Sequence, residues 1–115
     1  IVGHSCGGGF WIRYLSEHPD VKVGKVILVA PWLDPAHARS GSFFKFEIDK
    51  KLIERVKELV IFNSDDDEED IQTSVEMIKS AIPTARIVEF HKMGHFTHKD
   101  MQKAEFPELL EELMK

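Results

Sequence analysis

The chain has 115 residues, one domain's worth, with 43% apolar and 30% charged residues; 15 Lys and Arg against 20 Asp and Glu leave a net charge of −5. This apolar content excludes a disordered chain, and the acidic balance lacks the basic surface that nucleic-acid phosphates demand. The longest apolar run, Val26 to Leu33, is far short of the roughly 20 residues a bilayer span needs. The single cysteine, Cys6, rules out an internal disulfide and fits a reducing, cytoplasmic compartment.

Ile1-Val2 reads as the last step of a buried strand and Gly3 as the turn after it. The chain is therefore expected to be a single domain over 1–115 that forms the C-terminal portion of a larger fold, with its first strands upstream. Gly7-Gly8-Gly9 leads into Phe10, Trp11, Ile12, Tyr14 and Leu15 at helical spacing, stopped by His18-Pro19. Lys25 to Ala30 is a continuous apolar run, the mark of a strand buried on both faces. Pro35 to Phe46 is irregular and carries Phe43 and Phe44, which with Trp32 read either as an apolar pocket wall or as core. Ile48, Leu52, Ile53 and Val56 fall at helical spacing, so a helix is expected over 48–57. Leu59 to Phe62 is a second apolar run, followed by the acidic run Asp65 to Asp70. An amphipathic helix over 71–82 ends at Pro83. Arg86 to Phe90 is a third strand, Met93 to Phe96 a turn, and Phe106 to Met114 a last helix. Apolar strands alternating with helices predict an α/β fold, a parallel sheet with helices on both faces.

Gly3-His4-Ser5-Cys6-Gly7 matches G-x-S-x-G at a strand-to-helix junction. From average composition this pattern arises roughly 0.04 times in a chain of this length. Its glycines have a reason: a nucleophile on a strained turn brings the residues two before and two after it close together. Centring the motif on Ser5 puts Gly3 and Gly7 in those places, whereas centring it on Cys6 puts His4 in one. Ser5 is thus the expected nucleophile, Cys6 supplies a backbone N–H to an oxyanion, and the following helix aims its positive end at the same spot. A phosphate loop of the G-x-x-x-x-G-K-[ST] form is absent.

A serine hydroxyl needs a base, and His95, in a loop after the third strand, is the candidate. His18 and His37 stand in polar or turn sequence, and His4 reads as a packing residue beside the turn. His91, His95 and His98 have the spacing of a helical metal cluster, but Gly94 and the preceding strand argue against a helix there. An orienting carboxylate is expected within Asp65 to Asp70, and the order Ser, Asp, His is that of α/β-hydrolases.

The elbow, the strand Val26 to Ala30, the segment Phe62-Asn63-Ser64-Asp65-Asp66-Asp67 and Gly94-His95-Phe96 together resemble an α/β-hydrolase. The nearest likeness is to the small, lidless serine hydrolases of the retinoblastoma-binding-protein type. The resemblance implies Ser5 as nucleophile, His95 as general base and acid, and Asp67 as the orienting acid, three residues after the small Ser64; Asp66 is the alternative. Two departures stand out. Glu68-Glu69-Asp70-Ile71 replaces an apolar stretch with a Pro, and the family's second oxyanion donor belongs to a loop upstream of the elbow. The expectation is a hydrolase acting on a small ester or amide without metal or cofactor, with no nucleic-acid or membrane partner. The 115 residues alone are expected to be weakly active or inert. A non-catalytic protein-binding module on the same scaffold is the alternative, and a metal or phosphate site at His91, His95 and the acidic run is a weaker third.

Overall fold

A computed structural model describes residues 1–37, 41 and 44–115. Phe43, one of the aromatic residues read above as pocket wall or core, lies outside the described residues. Four strands, β1 (Val2–His4), β2 (Val23–Val29), β3 (Val56–Ser64) and β4 (Arg86–Phe90), form a parallel sheet in the order β1-β2-β3-β4. The helices are α1 (Cys6–Glu17), α2 (Glu69–Ala81), the one-turn α3 (His98–Met101) and α4 (Pro107–Met114).

Register decides which side chains share a face. Val2, Ile27, Val60 and Arg86 stand in one row across the sheet, and Gly3, Leu28, Ile61 and Ile87 in the next. Successive side chains point to opposite faces, so these rows belong to different sides. Gly3 lies against α1: a Cβ there would fall 2.9 Å from Gly7 O and from Gly8 Cα. Asn63, in the Gly3 set, donates to Gln72 of α2 at 2.9 Å. Helices α1 and α2 therefore cover one side, as right-handed crossovers between sequential parallel strands require. The other side belongs to α4. Glu112 of α4 bonds Lys25 of β2 at 3.0 Å and Arg86 of β4 at 2.7 Å, and Phe106 beside α4 packs on Phe62 and Phe90. With both faces covered, Val26 to Val29 and Leu59 to Ser64 are continuously buried.

Three expectations are corrected. Ile48 to Lys57 is not a helix: only Leu52–Glu54 makes a 3-10 turn, and Val56 already pairs with Val23 in the sheet. Asp49 holds the preceding loop by accepting from Lys51 N and from the Arg55 guanidinium. Gly3 lies within β1 rather than in a turn, and Val2 is 40% exposed because β1 stands at the sheet's edge. The short helix α3 was not anticipated. Its signal was present in Thr97-His98-Lys99-Asp100, where Thr97 Oγ1 accepts from Asp100 N at 3.1 Å as an N-cap.

Candidate active site

Ser5 sits between the C-terminal end of β1 and the first residue of α1, with φ 58° and ψ −123°. An L-residue in that region stores about 1 to 3 kcal/mol and persists only where its surroundings fix it. They do so here. Ser5 N donates to Val29 O at 3.0 Å, and Ser5 O accepts from Gly8 N at 3.0 Å and from Trp32 N at 3.0 Å. The crowding that demands glycine is distributed differently from the motif expectation. Gly3 is tight as expected, whereas a Cβ on Gly7 would meet nothing within 4 Å. The strictest position is Gly9, where a Cβ would fall 2.1 Å from Trp32 O, and Gly8 is close-packed with 3.0 Å to Pro31 Cβ. It is the packing of α1 against Pro31 and Trp32 in the segment after β2, rather than the turn alone, that crowds these positions.

Three loops meet at the C-terminal edge of the sheet. Ser5 follows β1, Asp67 lies three residues beyond the end of β3, and His95 five beyond the end of β4. His95 Nε2 is 2.9 Å from Ser5 Oγ, and His95 Nδ1 is 3.0 and 3.2 Å from the two carboxylate oxygens of Asp67. The Asp67 side chain is wholly buried, and that of His95 is 28% exposed. A carboxylate at Nδ1 places the ring proton there and leaves Nε2 free to accept from the serine hydroxyl. Asp67 Oδ1 also accepts from Glu68 N at 2.7 Å, which fixes the carboxylate plane. Cys6, the first residue of α1, presents an N–H that has no partner within its helix and carries the helix's positive end. Its thiol is exposed.

The other acidic residues separate cleanly. Asp65 accepts from Lys92 N and pairs with His91 Nδ1 at 2.7 Å. This contact holds the Asp65 carboxyl below its ordinary range and the His91 imidazole above it. Asp66 Oδ1 accepts from the Ser64 hydroxyl at 2.7 Å and from Gly94 N at 2.9 Å. Asp65 and Asp66 therefore bind the loop that carries His95, and only Asp67 reaches the imidazole. No group of three His, Cys, Asp or Glu capable of holding a metal occurs among the described residues. His4 does more than pack beside the turn: its exposed ring lies against the His95 imidazole and also bonds the main chain of His95, with Nε2 2.7 Å from His95 O.

Ser5, Cys6, Trp32, Glu68, Ile71 and His95 line a cleft of about 310 Å³. Ser74 of α2 ties its Trp32 wall in place by accepting from Leu33 N at 3.0 Å. Phe44 packs edge-on to Trp32 behind the cleft. A larger open groove of about 560 Å³, between Phe46 to Lys50 and the outer side of α2, contains none of the site residues.

The pattern of the family described as serine aminopeptidase, S33, matches residues 1–111. The chain belongs to this hydrolase family. No curated protein matches it significantly. Among solved structures it is similar to the ydeN gene product of B. subtilis, with TM-score 0.81 and 24% identity over 98% of this chain and 62% of that one. It is also similar to a predicted CIB-like hydrolase of Thermoplasma acidophilum, with TM-score 0.60 and 25% identity over 99% of this chain and 47% of that one. The chain thus spans less than two thirds of the length of either structure. It has the four-stranded parallel part of an α/β-hydrolase fold. No helix among the described residues is long and apolar enough to cross a membrane.

Proposed function

We propose that the protein is a serine hydrolase that cleaves a small ester or amide through an acyl-enzyme. The observation that carries this reading is the continuous chain from Asp67 through His95 to Ser5, with contacts of 3.0 and 2.9 Å. Ser5 Oγ attacks the substrate carbonyl carbon while His95 Nε2 takes the hydroxyl proton. The resulting oxyanion is held by the Cys6 N–H, and collapse expels the leaving group, which receives the proton from His95. Water, deprotonated by the same imidazole, then attacks the acyl-enzyme and releases the acid and Ser5. The Asp67 carboxylate keeps the proton on Nδ1 and stabilises the imidazolium. A positioned base of this kind contributes about 10² to 10⁴ in rate, and each oxyanion donor about 10² to 10³.

The chain is proposed to form the C-terminal portion of its α/β-hydrolase domain, in keeping with its covering 62% and 47% of the two solved structures. On this reading a second oxyanion donor comes from sequence upstream of β1. The finer likeness to the small hydrolases of the retinoblastoma-binding-protein type rests on the elbow and His95 motifs. The proposed partner is a small-molecule substrate, without nucleic acid or membrane, in a reducing compartment such as the cytoplasm.

Hydrolysis of a panel of p-nitrophenyl esters by the full-length protein tests this. Turnover that vanishes in Ser5→Ala, and in His95→Ala, is expected. Turnover that survives Ser5→Ala, or a complete lack of turnover in the wild type, would contradict it.

A further inference from the structure

His95 stands in an unusual stretch of backbone. Gly94 before it and Phe96 after it both have positive φ, 56° and 60°. Among the described residues, neither polar main-chain group of His95 bonds the backbone of another element. Its N–H donates to Asp100 Oδ2 at 2.8 Å, and its C=O accepts from His4 Nε2 at 2.7 Å. These two side chains come from different elements. His4 ends β1 and immediately precedes Ser5, whereas Asp100 belongs to α3.

We propose that His4 and Asp100 are positioning residues that clamp the main chain of His95 and set its imidazole against Ser5. This rests on the hydrolase reading above and deepens it. Asp100 is itself fixed. Its N–H donates to Thr97 Oγ1, and Gly94 packs so closely that a Cβ there would fall 2.7 Å from Asp100 Cγ. The His95 N–H holds the Asp100 carboxyl below its ordinary range. The His95 carbonyl can only accept, so His4 must carry its proton on Nε2. His4 and Ser5 are adjacent in sequence, so a shift of the nucleophile carries the base loop with it. The 2.9 Å contact between Ser5 Oγ and His95 Nε2 is thereby kept. The His4 ring also lies against the His95 imidazole, with centroids 4.9 Å apart. A displacement of about 1 Å in such a constellation costs on the order of 10² in rate.

The test compares rate constants for phosphonylation of full-length protein by a fluorophosphonate. The folded fraction of each variant is measured alongside by its melting curve, so that a loss of folded protein is not read as a loss of reactivity. His4→Phe keeps a ring and loses the donor, whereas His4→Gln keeps an N–H at about the reach of Nε2. Asp100→Ala removes the acceptor, and Asp100→Asn retains an oxygen. His4→Phe and Asp100→Ala are expected to react about 10- to 100-fold more slowly, and His4→Gln and Asp100→Asn within about threefold of wild type. Amide exchange at His95 is expected to quicken at least about tenfold in Asp100→Ala, whatever the reactivity. A His4→Phe protein as fast as wild type, a His4→Gln protein as slow as His4→Phe, or unchanged His95 exchange in Asp100→Ala would each overturn the clamp. A wild type that the probe does not modify would instead overturn the hydrolase reading, which the exchange measurement does not need.

Discussion

Replacing Asp67 by Asn changes almost nothing in shape and removes the property on which the site depends. The side chain is fully buried, so the amide cannot turn out into water. The retained oxygen keeps the bond from Glu68 N, now 2.7 Å, and the amide nitrogen then faces His95 Nδ1. Nδ1 lies nearer the position of that nitrogen, 3.0 Å, than that of the retained oxygen, 3.2 Å, so the N–H there favours an accepting Nδ1 and a ring proton on Nε2. The imidazole then donates to Ser5 Oγ and can no longer take its proton. Loss of the correct tautomer in a serine–histidine–aspartate site costs about 10⁴ in kcat, or roughly 5 kcal/mol of transition-state stabilisation. Asp66→Asn provides the control. Its Oδ1 accepts from Ser64 and Gly94 and does not touch the imidazole, and an amide oxygen can accept both bonds. Phosphonylation rate constants for full-length Asp67→Asn and Asp66→Asn, with melting curves, provide the assay. Asp67→Asn is expected to fall by about 10³ or more and Asp66→Asn by less than about tenfold. An Asp67→Asn protein within tenfold of wild type, or an Asp66→Asn protein as slow as Asp67→Asn, would refute the assignment of the orienting acid.

The remaining expectations concern packing, stability and the cleft. Gly9→Ala would drive a methyl into Trp32 O, whose own N–H bonds Ser5 O, and is expected to cost about 2 to 4 kcal/mol in thermal melts. Gly7→Ala, with open space and a helical position, is expected to be neutral or to stabilise by about 0.5 to 1 kcal/mol. Glu112 is held down to a pKa of about 2, chiefly by the Arg86 guanidinium, with Lys25 adding a second bond. A depressed carboxyl stabilises the fold above its unfolded value of 4.5 and loses that stability as pH falls towards 2. Glu112→Gln is therefore expected to lose about 1 to 2 kcal/mol at pH 7, with partly exposed Arg86 limiting the effect, and the gap from wild type is expected to close between pH 5 and pH 2 in melting curves. Among the described residues, Glu68 is the one carboxylate lining the cleft, beside Trp32 and Ile71. Esters with an anionic acyl chain are expected to react about 3- to 10-fold more slowly than neutral ones of the same size, with Glu68→Gln narrowing the difference in kcat/KM.

Much of this arrangement is legible in the sequence because it is local. Arg86 to Phe90 is the observed fourth strand residue for residue, and the helices at Cys6, Glu69 and Pro107 follow from apolar spacing and from the prolines at 19, 83 and 107. The elbow is legible because a strained residue between a strand and a helix admits few side chains. The helix expected over 48–57 fails because buried Leu52 fits a single 3-10 turn as well as a helix, and Val56 fits helical spacing and strand burial equally well until it pairs with Val23, thirty-three residues away. The roles of Asp65, Asp66 and Asp67 follow from where the loop after β4 returns, since each carboxylate meets a different residue of that loop. No spacing rule separates three adjacent aspartates, and the likeness to a known family was needed to choose among them. The bonds that His4 and Asp100 make are not legible in the sequence for a related reason. Their partners are main-chain atoms of His95, and a bond to a backbone atom leaves no trace in the identity of its partner.

Treating the full-length protein with a fluorophosphonate and mapping the adduct by peptide mass spectrometry addresses the central claim most directly. A single adduct on the Ser5 hydroxyl, formed in the wild type and lost when His95 is replaced by Ala, is the predicted result. An adduct on Cys6 or elsewhere, or one on Ser5 that forms equally fast without the His95 imidazole, would contradict it.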